Sequence, residues 1–173
     1  ISYVQNGLEK SNFVEAKKAG WDFAIIRLGT VLKGKLYTDA EFESKYKNAK
    51  AAGLNIGVYF YSMAKTKSDA KAEAAYVLKQ LKCRELQYPV YIDIEDKSQS
   101  GLSKSSLADI CNTFCKTIAA GGYNAGVYAS YNWLTNKIGK IDSKYHIWLA
   151  QYPKATYKGT YDMHQYTSSG NVT

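Results

Sequence analysis

The sequence is short of cysteine, histidine and proline, and it has no long apolar run. Cys83, Cys111 and Cys115 make an odd number, with neither metal-type spacing nor companion histidines, which argues against a disulfide framework and against a zinc site. On a helix, Cys111 and Cys115 would lie one turn apart with diverging side-chain vectors, so free thiols are expected. His146 and His164 show no ligand spacing, and neither a metal nor a cofactor is expected. No stretch is long enough to cross a membrane and no basic-then-apolar leader begins at Ile1, so the chain is expected to be soluble, with no membrane partner and no signal peptide of its own. The absence of a glycine-rich phosphate fingerprint counts against a nucleotide-binding open sheet. No RNA- or DNA-binding motif is visible, so no nucleic-acid partner is expected.

What is present is a chain of 173 residues, a length that fits one domain with a sizeable core. Its net charge of +8 favours contact with a polyanion such as nucleic acid, an anionic membrane or an acidic bacterial wall, and charge alone does not choose among them. Lysines such as Lys10, Lys17, Lys18, Lys45, Lys47 and Lys50 are scattered along helical stretches, which reads as solvated helix faces. Sixteen tyrosines are the other excess. A tyrosine ring offers a flat apolar face and a hydroxyl, which suits a carbohydrate groove as well as a barrel wall, and most of them are expected simply to pack.

Short β-branched and aromatic runs alternate with stretches of helical period. Strands are expected at Ile1 to Val4, Phe23 to Leu28, Ile56 to Tyr61, Val90 to Ile94 and Gly126 to Ala129, with later ones at Ile147 to Tyr152 and Met163 to Thr167. Helices are expected at Ser11 to Ala19, Asp39 to Ala52, Lys67 to Lys82 and Lys104 to Ala120, the last capped by Ser103. Three helices end at glycine before a strand, at Gly20, Gly53 and Gly121-Gly122, giving a βα repeat. Successive right-handed βα units make an open sheet or a closed barrel, and the short turns without a phosphate fingerprint favour an α/β fold of the barrel kind. After Ala129 only short segments such as Tyr131 to Thr135 separate the strands, so the barrel is expected to lose its helices in its C-terminal part.

The segment Tyr88-Pro89-Val90-Tyr91-Ile92-Asp93-Ile94-Glu95-Asp96 is the most informative. Apolar residues at 90, 92 and 94 alternate with 91, 93 and 95, which predicts Asp93 and Glu95 on one face, at the C-terminal end of a barrel strand where such folds place their chemistry. Two neighbouring carboxyls cannot both ionise freely, so one is expected to hold its proton near neutrality and serve as a general acid. The plain alternative, two solvated acids at a strand end, is weakened by Tyr59 and Tyr61 on the preceding strand.

These residues belong to a longer run of segments: Ile1-Ser2-Tyr3-Val4-Gln5, Asp22-Phe23-Ala24-Ile25-Ile26-Arg27, Gly57-Val58-Tyr59-Phe60-Tyr61-Ser62, Asp93-Ile94-Glu95, Gly126-Val127-Tyr128, Trp148-Leu149-Ala150-Gln151-Tyr152 and Gln165-Tyr166-Thr167-Ser168-Ser169-Gly170. In this order and spacing the sequence resembles glycoside hydrolase family 25, the Chalaropsis-type and phage-type muramidases, over nearly its whole length. The resemblance implies a flattened TIM-like β/α barrel forming a single catalytic domain over residues 1–173. It implies hydrolysis of the β-1,4 bond between N-acetylmuramic acid and N-acetylglucosamine, with Glu95 protonating the leaving oxygen and Asp93 orienting it or stabilising charge through the sugar's acetamido group.

Around the acids, Tyr59, Tyr61, Tyr128 and Trp148 are read as substrate-binding rings, with barrel packing as the alternative. Arg27 is read as an ion-pair partner of one of the central acids or as a sugar ligand, and Gln151 and Gln165 as hydrogen-bond partners of sugar or acid. Family members also carry an aspartate just before the segment matched by Ile1-Ser2-Tyr3 and another soon after that matched by Gly170-Asn171-Val172. Both places fall outside the sequence, which is expected to be trimmed at each end; their true loss would favour an inactive peptidoglycan-binding domain of the same fold. A chitin-cleaving barrel is a third reading. The expected partners are bacterial peptidoglycan and, by charge, anionic wall polymers, met by a monomer acting outside the cell or at the wall.

Overall fold

A computed structural model describes residues 9–169. The strand expected at Ile1 to Val4 and the first and last residues of the family-like segments lie outside them. The elements run α1 (Lys10–Lys18), β1 (Phe23–Leu32), β2 (Lys35–Thr38), α2 (Phe42–Ala51), β3 (Asn55–Tyr61), α3 (Lys67–Leu81) and β4 (Val90–Asp93). A 3₁₀ turn at Lys97–Gln99 then leads to α4 (Lys104–Ala120), β5 (Ala125–Ser130), a π-helical turn at Trp133–Lys137, β6 (His146–Ala150) and β7 (Met163–Gln165).

Local sequence explains the boundaries. Gly20, Gly53 and Gly122 follow three of the helices with φ of 89°, 75° and 88°, values that favour a residue without Cβ. Ser103 Oγ accepts the Ser106 N–H and caps α4, while Thr66 and Asp69 exchange reciprocal bonds at the start of α3. One element went unread in the sequence. β1 continues to Leu32 and turns back through Lys33 and Gly34, both at positive φ, to pair with β2 antiparallel. Two successive left-handed residues are what a tight hairpin demands, and Lys-Gly is a less obvious signal for one than Asn-Gly.

The sheet order is β2-β1-β3-β4-β5-β6-β7, parallel throughout except for β2. Parallel strands need both faces covered, and β4 is buried at every position. One face, carrying Ile26, Leu28, Val58, Phe60, Val90, Ile92, Ala125 and Val127, packs with residues of the helices such as Tyr46, Val77, Phe114 and Ile118 into the main core. Each fully buried Val, Leu, Ile or Phe there stabilises the fold by about 1.5–3 kcal/mol. The other face holds a smaller cluster of Ile25, Tyr59 and Tyr91, flanked by Phe23, Tyr88, Tyr128, Trp148 and Met163.

That smaller cluster reports the curvature. In a flat sheet Tyr59 on β3 and Trp148 on β6 would stand about 14 Å apart, three strand spacings; their ring centroids are 6.3 Å apart. The sheet therefore curls around this face into a distorted β/α barrel. Its helices lie outside, and no α-helix joins β5 to β6 or β6 to β7. Glycine makes room inside: a Cβ on Gly126 would sit 2.6 Å from Tyr91 Cε1, so the Tyr91 ring occupies the space that a side chain at 126 would fill.

Candidate active site

The inward-facing residues of β3, β4 and β5 meet in register at their C-terminal ends, with Tyr61 beside Asp93 and Asp93 beside Tyr128. Asp93 is the last residue of β4 and is 7 % exposed. Glu95 lies two residues past the strand, half-buried, and its Oε2 accepts the Ser130 backbone N–H from the end of β5 at 2.7 Å. The strand ends sooner than the alternation suggested, so Glu95 is held by a loop and a backbone donor.

Burial first, and then the neighbouring Glu95 charge, push the Asp93 carboxyl well above the ordinary carboxylate range, with Arg27 pulling the other way. Depth in the barrel thus disfavours the charged form of Asp93. Its Oδ1 is buried without a hydrogen-bond partner among the described residues, leaving an acceptor open at the end of the strand. The hydroxyls of Tyr59, Tyr61 and Tyr128 are also pushed up, chiefly by burial and further by the surrounding acids, which keeps them neutral donors.

Most of the residues singled out in the sequence gather here. Trp148 forms the floor, packing edge-on against Tyr128 at 4.5 Å, Tyr91 at 5.4 Å and Tyr59 at 6.3 Å between centroids. Tyr59 is itself buried, so it packs in the floor and feels the Asp93 charge from there. Tyr61 stands at the rim, its hydroxyl donating to Asp96 Oδ2 at 3.0 Å. Gln165, the last residue of β7, donates to the Tyr152 hydroxyl at 2.7 Å. Gln151 is not brought in: its amide donates to Thr156 Oγ1 and accepts the Thr156 N–H, which ties down the loop between β6 and β7. Arg27 does form an ion pair, but with Asp39, its Nε 3.0 Å from Oδ2 of that buried acid.

Asp39, Asp96 and Tyr152 were not singled out in the sequence. Tyr152 is half exposed, follows the end of β6 and feels the Glu95 charge. Its only sequence signal is its position just after a strand that ends in the barrel mouth. Among the described residues, no group of three or more His, Cys, Asp or Glu could hold a metal ion.

Comparison with known proteins bears on this arrangement. The chain is 26% identical over 171 residues to the autolytic lysozyme of Clostridium acetobutylicum, a match that spans 98% of this chain and 50% of that relative. It superposes with a TM-score of 0.81, at 26% identity, on the modular autolysin LytC of Streptococcus pneumoniae, whose structure was solved in complex with a synthetic peptidoglycan ligand, covering 99% of this chain and 42% of that one. It also superposes on a family 25 glycosyl hydrolase of Bacillus anthracis, with a TM-score of 0.82 at 16% identity, covering 100% of this chain and 79% of that one, a likeness of fold. The chain thus spans about half the length of the curated relative it matches. Residues 1–173 match the family described as glycosyl hydrolases family 25, and the chain belongs to that family.

Proposed function

We propose that this chain is the catalytic domain of a muramidase, hydrolysing the β-1,4 bond between N-acetylmuramic acid and N-acetylglucosamine in bacterial peptidoglycan. The observation that carries the reading is the pairing of Asp93 and Glu95 at the end of β4, inside a mouth lined by Tyr61, Tyr128 and Trp148. Sugars stack on ring faces, and neutral phenol hydroxyls fix their polar groups, so such a mouth suits a glycan strand. The autolytic lysozyme and the peptidoglycan-bound autolysin among the relatives support the same substrate.

In this reading Glu95 delivers a proton to the glycosidic oxygen as the bond to the sugar breaks. The Ser130 N–H fixes the direction of its carboxyl. Asp93 orients the substrate: its unpartnered Oδ1 takes the N–H of the sugar's acetamido group, a bond that a carboxyl accepts in either protonation state. Arg27, whose charge acts on Asp93, is itself held by its ion pair with Asp39. The net charge of +8 adds attraction to anionic wall polymers.

The test is the release of reducing ends from purified peptidoglycan by the whole protein and by its Glu95→Gln variant. Turnover falls by roughly 10²–10⁴-fold in the variant while glycan binding is kept. A variant with parent activity places the acid elsewhere, a parent that binds walls without cleaving them leaves a binding domain, and preferential cleavage of chitin changes the substrate.

A further inference from the structure

Gln99 belongs neither to the acid pair nor to the aromatic wall, yet its side chain is completely buried. A buried amide must satisfy both its ends. Here Nε2 donates to the Ala64 carbonyl at 2.9 Å, and Oε1 accepts the Asp96 N–H at 3.1 Å. Ala64 lies in the loop that leaves β3, three residues after Tyr61, and Asp96 is the residue next to Glu95. The Tyr61 hydroxyl closes the circuit onto Asp96 Oδ2 at 3.0 Å, while Asp96 Oδ1 accepts the Ser98 N–H at 2.8 Å and caps the short turn that carries Gln99. On its far side the β3 loop is anchored to α3, because Glu73 accepts from Ser62 Oγ at 2.6 Å and from the Met63 N–H at 3.1 Å.

Two loops that leave neighbouring parallel strands are thereby joined beyond the point where the sheet's own bonds stop. Glu95 sits within the joined segment, tethered on one side by this circuit and on the other by the Ser130 N–H. We propose that Gln99 is a positioning residue for Glu95: its buried amide locks the loop after β4 to the loop after β3, so that the Glu95 carboxyl is held on the Ser130 N–H and faces the cleft. The catalytic consequence rests on the muramidase reading; the structural one does not. Residue type matters. A glutamate at 99 could still accept from Asp96 but could not donate to Ala64 O, an asparagine is one methylene too short to span both partners, and a methionine fills the space with neither bond.

The test uses the whole protein with Gln99→Met, Gln99→Glu and Tyr61→Phe, read first by amide hydrogen exchange. In Gln99→Met the amides of Asp96 and Ser130 exchange at least tenfold faster than in the parent, while amides inside α4 keep their protection. On peptidoglycan, kcat falls on the order of 10–10²-fold with KM within about threefold, since displacement of a catalytic group by about an ångström has effects of that size. Gln99→Glu shows the same pattern in weaker form. Tyr61→Phe, which opens the circuit at a half-buried position and leaves the core untouched, also speeds exchange at Asp96, so a Gln99→Met protein that fails to fold does not spare the proposal. Unchanged exchange at Ser130 in the Gln99 variants that fold, or at Asp96 in Tyr61→Phe, overturns the proposal, as does parent-like kcat once Asp96 exchange has risen. An inactive parent refutes the muramidase reading instead, and the exchange data still decide the role of Gln99.

Discussion

Replacing Glu73 by glutamine should remove a specific component of the protein's pH-dependent stability. Glu73 is 2 % exposed, and burial raises its carboxyl from an ordinary 4.5 to about 7, against the opposing hydrogen bonds from Ser62 and Met63. The folded protein therefore binds more protons than the unfolded chain between those two values. Stability from this group is complete below about pH 4.5 and is lost as pH rises to about 7. At about 1.4 kcal/mol per pH unit across that window, the loss is roughly 3 kcal/mol. Asp93 shifts in the same direction, but it is present in parent and variant alike and cancels in their difference. A glutamine keeps an acceptor for the Met63 N–H and can donate to Ser62 Oγ, with no proton to lose. Urea unfolding followed by circular dichroism at pH 4.5, 6, 7 and 8 should show Glu73→Gln gaining about 3 kcal/mol on the parent between the two ends of the series. A parent-minus-variant difference that stays flat within about 1 kcal/mol, or runs the other way, would refute the assignment of this ionisation to Glu73.

Three further outcomes are expected. In Glu95→Gln the Asp93 carboxyl should titrate lower than in the parent yet stay above the ordinary range, since the neighbouring charge is gone while burial remains; carbon NMR of the side-chain carboxyl reads this, and an unchanged titration would show that the two acids do not sense each other. Gly126→Ala should cost about 1–3 kcal/mol in the same urea assay, because the new methyl would meet both Tyr91 Cε1 and the His146 carbonyl oxygen at under 3 Å; a neutral variant would mean that the inner cluster is loosely packed. Binding to purified walls should weaken as salt rises and the screening length drops from about 8 Å at physiological ionic strength to about 3 Å at 1 M, and salt-independent binding would remove the +8 charge from the account.

The sequence by itself determined whatever depends on local periodicity and on special backbone conformations. Alternation of apolar residues along 90–94 put Asp93 on the inner face, glycines 20, 53 and 122 ended their helices, and Ser103 started α4, because side-chain direction and left-handed φ are properties of a few consecutive residues. The loss of helices after β5 was legible for the same reason. The tertiary structure decided which polar groups face one another. Arg27 carries no local mark of its pairing with Asp39, since the bond spans the hairpin through β2 that the sequence reading missed. Gln151 and Gln165 look alike as strand-end amides, but one is consumed by Thr156 and the other turns to Tyr152 in the mouth. The upward push on the Asp93 carboxyl followed from depth: Asp93 is walled in by β3 and β5, and desolvation outweighs the pull of Arg27. Gln99, an unremarkable residue in a polar stretch, acquires its place only when the curl of the sheet carries the β4 loop against the β3 loop, a contact between residues 35 positions apart that no window along the chain encloses.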